Sequence, residues 1–198
     1  MNSMKKTLAT AIAFGALSLG SLPALADTYV IDTKGAHASI NFKVAHLGYS
    51  WLTGRFNDFS GEFTYDPKNL TASSIQVTIN TNSVDSNHAE RDKHLRSADF
   101  LNVEKFPTAT FVSKQIVPDD DGDGDEFDII GDLTLNGVTK SIKIEVEKVG
   151  EGKDPWDGYR IGFEGETEIL MKDFNIKMDL GPASQKVKLE LHIEGIKK

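Results

Sequence analysis

The residues best able to do chemistry crowd between Ser86 and Phe100. "SNHAERDKHLRSADF" holds His88 and His94, the carboxylates Glu90, Asp92 and Asp99, and the cations Arg91, Lys93 and Arg96. A metal site would need its histidines to converge. A helix turns roughly 100° per residue, so His88 and His94 diverge by about 120° and do not share an ion as an i, i+4 pair would. Glu90 and His94 do share a face and would be the acid–base pair if the chain were an enzyme. His88–Asp92 and Asp92–Arg96 have the same spacing, which is also that of ordinary intrahelical pairing. Asn87 followed by Glu90 predicts a capping box, and the helix is expected to run to about Ser97. One face remains: His88, Arg91, Leu95 and Ala98, followed by Phe100 and Leu101. It suits a lid over an apolar opening, with Leu95 and Phe100 inserted and His88 or Arg91 free to meet a polar group.

Other chemistry is thinner. "DDDGDGDEF" places Asp119, Asp121, Asp123 and Gly124 like the first half of a calcium loop, but Ile130 stands where the bidentate Glu should be. Flanking strand patterns make the Asp119–Glu126 segment a hairpin loop, with calcium binding left open. No Gly-x-Ser-x-Gly elbow and no Gly-rich phosphate loop occurs. No serine can be assigned to His37, His46, His88 or His94 from sequence. The chain has no cysteine, which removes thiol catalysis, redox pairs and thiolate metal sites. No metal and no cofactor is expected. "HLGYSWLTGRF", His46 to Phe56, reads as a bulged strand corner or one wall of a cavity entrance.

The elements that must position these residues are mostly strands. Residues 1–26 read as a cleaved signal peptide: Lys5 and Lys6, an apolar run from about Leu8 to Leu19, then Ala24-Leu25-Ala26. That run is shorter than the roughly 20 residues a spanning helix needs. Export to a periplasm is expected, leaving one domain over 27–198. The remainder carries 20 basic and 30 acidic side chains, a charge of −10. Such a balance argues against nucleic acid and against electrostatic attraction to anionic lipid.

Period-two alternation pervades that domain. Ile40, Phe42 and Val44 alternate with polar neighbours, as do Ile75, Val77 and Ile79, then Ile142, Ile144 and Val146, then Val187, Leu189, Leu191 and Ile193. One wet and one buried face predicts antiparallel sheet. Asn136-Gly137 predicts a type I′ hairpin, Asp66-Pro67 and Asp154-Pro155 predict turns, and Gly181-Pro182 breaks the chain before the last strand. Nine or ten strands are expected, closing into a barrel or sandwich. The inward set is Phe42, Phe63, Val77, Ile79, Phe111, Leu133, Leu135, Ile142, Ile144, Phe163, Ile169, Leu189 and Leu191. Alternation alone leaves open whether they fill a core or line a cavity, because an eight-stranded barrel permits both.

Several long motifs add a resemblance. "HASINFKVAHLGYSWLTGRFNDFSGEFTYD", "SVDSNHAERDKHLRSADFLNVEKFPTATF", "GDLTLNGVTKSI", "DPWDGYRIGFEGE" and "DFNIKMDLGPASQKVKLELHIEG" together resemble the YceI-like family of periplasmic polyisoprenoid-binding proteins. The resemblance implies an all-β, lipocalin-like antiparallel β-barrel of about eight main strands, with one or two short helices near its mouth. It also implies an isoprenoid lipid or similar long amphiphile in the interior. The inward phenylalanines and aliphatics (Ile169 aside) would line the tail, with Leu95 and Phe100 at the lid. His88, Arg91 or the His46–Trp51 corner would meet the head group. Binding without bond making, no stable membrane insertion and an optional homodimer complete the expectation. An enzyme acting on such a lipid and an interaction module for envelope stress are the alternatives.

Overall fold

The structure, a computed structural model, describes residues 26–119 and 125–198. The signal peptide expected over 1–26 lies outside the described residues apart from Ala26, as does the centre of the acidic Asp119–Glu126 loop.

The alternating segments become strands for the reason their pattern implies: each buries one face and wets the other. In chain order they are β1 (Asp27–Ile31), β2 (Ser39–His46), β3 (Ser50–Phe56), β4 (Phe59–Tyr65), β5 (Ser74–Asn80), the two-residue β6 (Val84–Asp85), β7 (Thr108–Pro118), β8 (Glu126–Leu135), β9 (Val138–Lys153), β10 (Tyr159–Leu170) and β11 (Lys186–Lys197). A single α-helix among the described residues, α1 (Ala89–Arg96), lies between β6 and β7. Every pairing is antiparallel, and β1 pairs with both β4 and β11. Eight strands therefore close a barrel in the order β1-β4-β5-β7-β8-β9-β10-β11. Closure removes the unpaired edges that invite aggregation. β2 and β3 extend the wall beside it. β11 gives Val187–His192 to β2 and Gly195–Lys197 to β1, so one strand edge serves two partners in succession.

Turn chemistry sets the register. Asn136 and Gly137 both have positive φ, 49° and 76°, as a type I′ turn requires, and Leu135 pairs directly with Val138. The bulged corner expected at His46–Phe56 is instead a tight hairpin. β2 and β3 pair without interruption from Ile40–Phe56 to His46–Ser50, because Leu47 and Gly48 take positive φ and absorb the reversal.

The two barrel ends differ. At the end reached by the β9–β10 turn, Phe163 packs edge-on against Phe63, Tyr65 and Phe127, with centroids 5.4–5.8 Å apart, and Tyr29 stacks on Phe63 at 5.1 Å. Gly195 makes room for this plug: a Cβ there would meet the Phe63 ring at 2.4 Å. The opposite end is covered by α1, the β2–β3 hairpin and the segment from Met171 to Ser184.

Candidate functional site

α1 starts where His88, not Asn87, caps it. The His88 backbone is extended and its Nδ1 accepts from the Arg91 N–H at 3.2 Å, while Asn87 sits at φ 60°. The capping box expected at Asn87 is thereby corrected by one residue. It also relocates His88, which is exposed and touches neither internal cavity. The helix is anchored by Ser86, which is buried. Asp92 accepts from the Ser86 N–H at 2.8 Å and from its Oγ at 2.5 Å, and Arg91 donates to Ser86 Oγ at 2.7 Å and to its carbonyl at 2.6 Å. Arg96 donates to the Val84 carbonyl at 3.1 Å and ties the last helical turn to β6. Ala98 falls beyond the helix and is exposed. The expected four-residue lid face therefore reduces to Arg91 and Leu95, continued by Phe100 and Leu101.

Two cavities occupy the interior. The first, about 120 Å³, lies within the barrel and is lined by Phe63, Val77, Ile79, Phe111, Leu133, Ile142, Ile144, Phe163, Leu189 and Leu191 from the inward set, with Ile40 and Tyr65 among the others. The second, about 360 Å³, lies under α1 and is lined by Phe42, Leu135, Ile169, Leu189, Arg91, Leu95 and Phe100. Leu189 borders both. Ile142, Leu189 and Leu191 point inward yet are only half-buried, and all three line the first cavity. The second cavity reaches solvent where Leu47 and Leu180, themselves exposed, form its rim. Its lining is apolar apart from His46, Arg91, His94 and the buried Ser184.

The wall under α1 includes residues outside the alternating strands. Met171, Ile176 and Leu180 line it, from a segment with no strand partner. A signal was present: Phe174, Ile176, Met178 and Leu180 alternate. Asn136 holds this segment in place, donating from its side chain to the carbonyls of Phe174 at 3.0 Å and Asn175 at 3.1 Å.

His94 does not pair with Glu90. Its Nε2 meets Asp99 Oδ2 at 3.2 Å, its ring stands edge-on to Phe100 at 5.0 Å, and Glu90 is exposed. The acid–base pair suggested by i, i+4 spacing is therefore not assembled.

The densest charge cluster lies at the other end of the barrel. Asp32, His37 and Glu194 present ligand atoms within 4.8 Å of one another. A cation already stands among them: Arg160 donates to Asp32 at 2.7 Å, to Glu194 at 2.5 Å and to Asp154 at 2.8 Å. The hydrogen bond from His37, with the Arg160 contacts, holds the Asp32 carboxyl down at about 2. Arg160 likewise lowers Asp154. This arrangement satisfies itself and offers no open coordination position.

Comparison with known proteins agrees with this architecture. Residues 29–195 match the family described as YceI-like domain. The chain belongs to the YceI-like family. A Pseudomonas aeruginosa relative called UPF0312 protein is 59% identical over 194 residues, covering 98% of this chain and 99% of its own. Among solved structures, Burkholderia cenocepacia BcnA superposes with a TM-score of 0.72 at 22% identity, covering 83% of this YceI-like chain and 98% of BcnA. A polyisoprenoid binding domain from Saccharophagus degradans, implicated in plant cell wall breakdown, superposes with a TM-score of 0.62 at 18% identity over 88% of this chain and all of that one. At such identities these structures speak for the fold.

Proposed function

We propose that this protein is a periplasmic lipid-binding protein that holds a polyisoprenoid or similar long amphiphile, for carriage, storage or sequestration, and makes or breaks no bond. One observation carries the proposal: the cavity under α1 is lined almost wholly by apolar side chains, with a few polar ones, His46, Arg91, His94 and Ser184, among them. Such a lining matches a molecule with a long apolar tail and a small polar head. Its volume of about 360 Å³ falls within the roughly 300–1,000 Å³ of small-ligand sites. The narrower space beyond Leu189 would take the distal tail. Each Å² of tail removed from water returns about 25 cal/mol, a gain that a soluble exported barrel can supply between two membranes. The polyisoprenoid binding domain among the structural neighbours supports this ligand class.

The test is native mass spectrometry of the protein purified from its own cells, followed by organic extraction. A retained long amphiphile is the expected result, and the same spectrum reports whether the barrel is a monomer or a homodimer. Repeated preparations with an empty barrel, under conditions that preserve noncovalent complexes, would overturn the reading.

A further inference from the structure

The rim of the cavity under α1 is also where large apolar side chains gather on the surface. Among the described residues eight large hydrophobics are exposed, and Leu47, Tyr49, Trp51 and Leu180 all belong to this rim or its adjoining hairpin. Leu47, Tyr49 and Trp51 sit on one β2–β3 tip and are 60%, 87% and 62% exposed. The hairpin leans on the 171–184 segment: Ser184 Oγ donates to the Ala45 carbonyl at 2.5 Å, and Gly48 lies beside Ala183. Ordinary hairpin tips carry polar residues. A tip of Leu, Tyr and Trp, next to an opening lined with more apolar side chains, is costly in water unless something covers it.

We propose that the Leu47–Trp51 hairpin tip docks reversibly on a phospholipid bilayer and sets the cavity rim against the acyl region, so that the ligand passes without crossing water. This rests on the lipid-binding reading above. Three observations select a bilayer as the occupant. The first is area. A projecting tip with three large apolar side chains cannot supply the roughly 800 Å² per partner of a stable protein interface, but it can wedge between lipid head groups. The second is side-chain type. Tyr49 and Trp51 pair an apolar ring with a polar group, the combination that settles at a membrane–water interface. The third is charge. The chain carries 30 acidic residues, yet none occurs from Thr33 through Asn57, which spans β2, the tip and β3. Lys43 lies over the Trp51 ring at 5.6 Å and is ion-paired with Glu190. Negative charge elsewhere keeps the contact weak, as delivery requires. No helix among the described residues is long and apolar enough to cross a membrane, so the contact is peripheral.

Only two tryptophans are present, and the other, Trp156, lies in the β9–β10 turn at the opposite barrel end. Trp156→Phe therefore makes Trp51 the sole reporter. With vesicles of phosphatidylethanolamine and phosphatidylglycerol, Trp51 emission is expected to move to shorter wavelength and the protein to co-sediment. Tyr49→Asp with Trp51→Ser, neither residue lining the cavity, should lower vesicle association about tenfold or more. It should leave retention of a pre-bound amphiphile in buffer unchanged. The proposal is overturned if Trp51 emission ignores vesicles, or if the double variant co-sediments like the parent. Failure of the lipid-binding reading looks different: no amphiphile is retained in buffer by either protein, whatever the vesicles show.

Discussion

Arg160 and Asp32 are 128 residues apart in the chain and 2.7 Å apart in the fold. Their contact joins the second residue of β10 to the residue after β1, with Glu194 of β11 and Asp154 of the β9–β10 turn sharing the same guanidinium. Three carboxylates held by one arginine pin the plugged end of the barrel. Arg160→Ala should therefore destabilise the protein more than Asp32→Ala does, because it leaves like charges facing one another. Urea denaturation midpoints measure the difference, and equal midpoints would argue against the arrangement.

Acid should find the same site. The Asp32 carboxyl is lowered from 3.8 to about 2, chiefly by the His37 hydrogen bond. A depressed folded-state value stabilises the protein above the unfolded value of 3.8 and loses that contribution as pH falls towards 2. The contribution is on the order of 2 kcal/mol. Asp32→Asn should flatten the stability curve between about pH 4 and 2, read by thermal melts across that range.

α1 depends on Ser86. Asp92→Ala leaves the buried Ser86 N–H without its acceptor, at a cost of about 1–3 kcal/mol. Amide exchange is expected to accelerate over residues 89–96 in particular, with faster ligand release. If exchange rises evenly through the barrel, the helix is not the local unit described here.

Leu189 stands between the two cavities. Leu189→Trp should obstruct passage from the wider space to the narrower one. Retention of long-tailed amphiphiles is expected to fall while short-tailed ones remain, with overpacking costing about 1–3 kcal/mol of stability. Chain-length profiles of extracted or reloaded ligand provide the readout, and an unchanged profile would place the tail elsewhere.

Asn136 serves both the hairpin and the cavity wall. Asn136→Gly keeps the positive φ but removes the two hydrogen bonds to Phe174 and Asn175, each worth about 0.5–1.5 kcal/mol. The loss should show as a lower melting temperature together with faster exchange around 171–180. Unaltered exchange there would mean that packing alone holds the segment.

Much of the barrel was legible in the chain because strand faces are a local property. Ile142, Ile144 and Val146 need only a period of two to declare their side, and Asn136-Gly137 needs only its tolerance of positive φ to declare a turn. Leu95 and Phe100 were also readable as apolar residues at the edge of a charged helix. What escaped depended on partners distant in sequence. His88 could not be known as the cap, because one residue of helix phase decides it and Ser86, Asp92 and Arg91 settle that phase together. Phe174 to Leu180 alternate without forming a ladder, so the place of Ile176 and Leu180 in the cavity wall needed Asn136 to hold the segment. Alternation, turns and the supply of apolar side chains are local and are written in the residues themselves. That the inward residues leave space between them emerges in the folded barrel, because packing depends on how eight strands close and no residue encodes that alone.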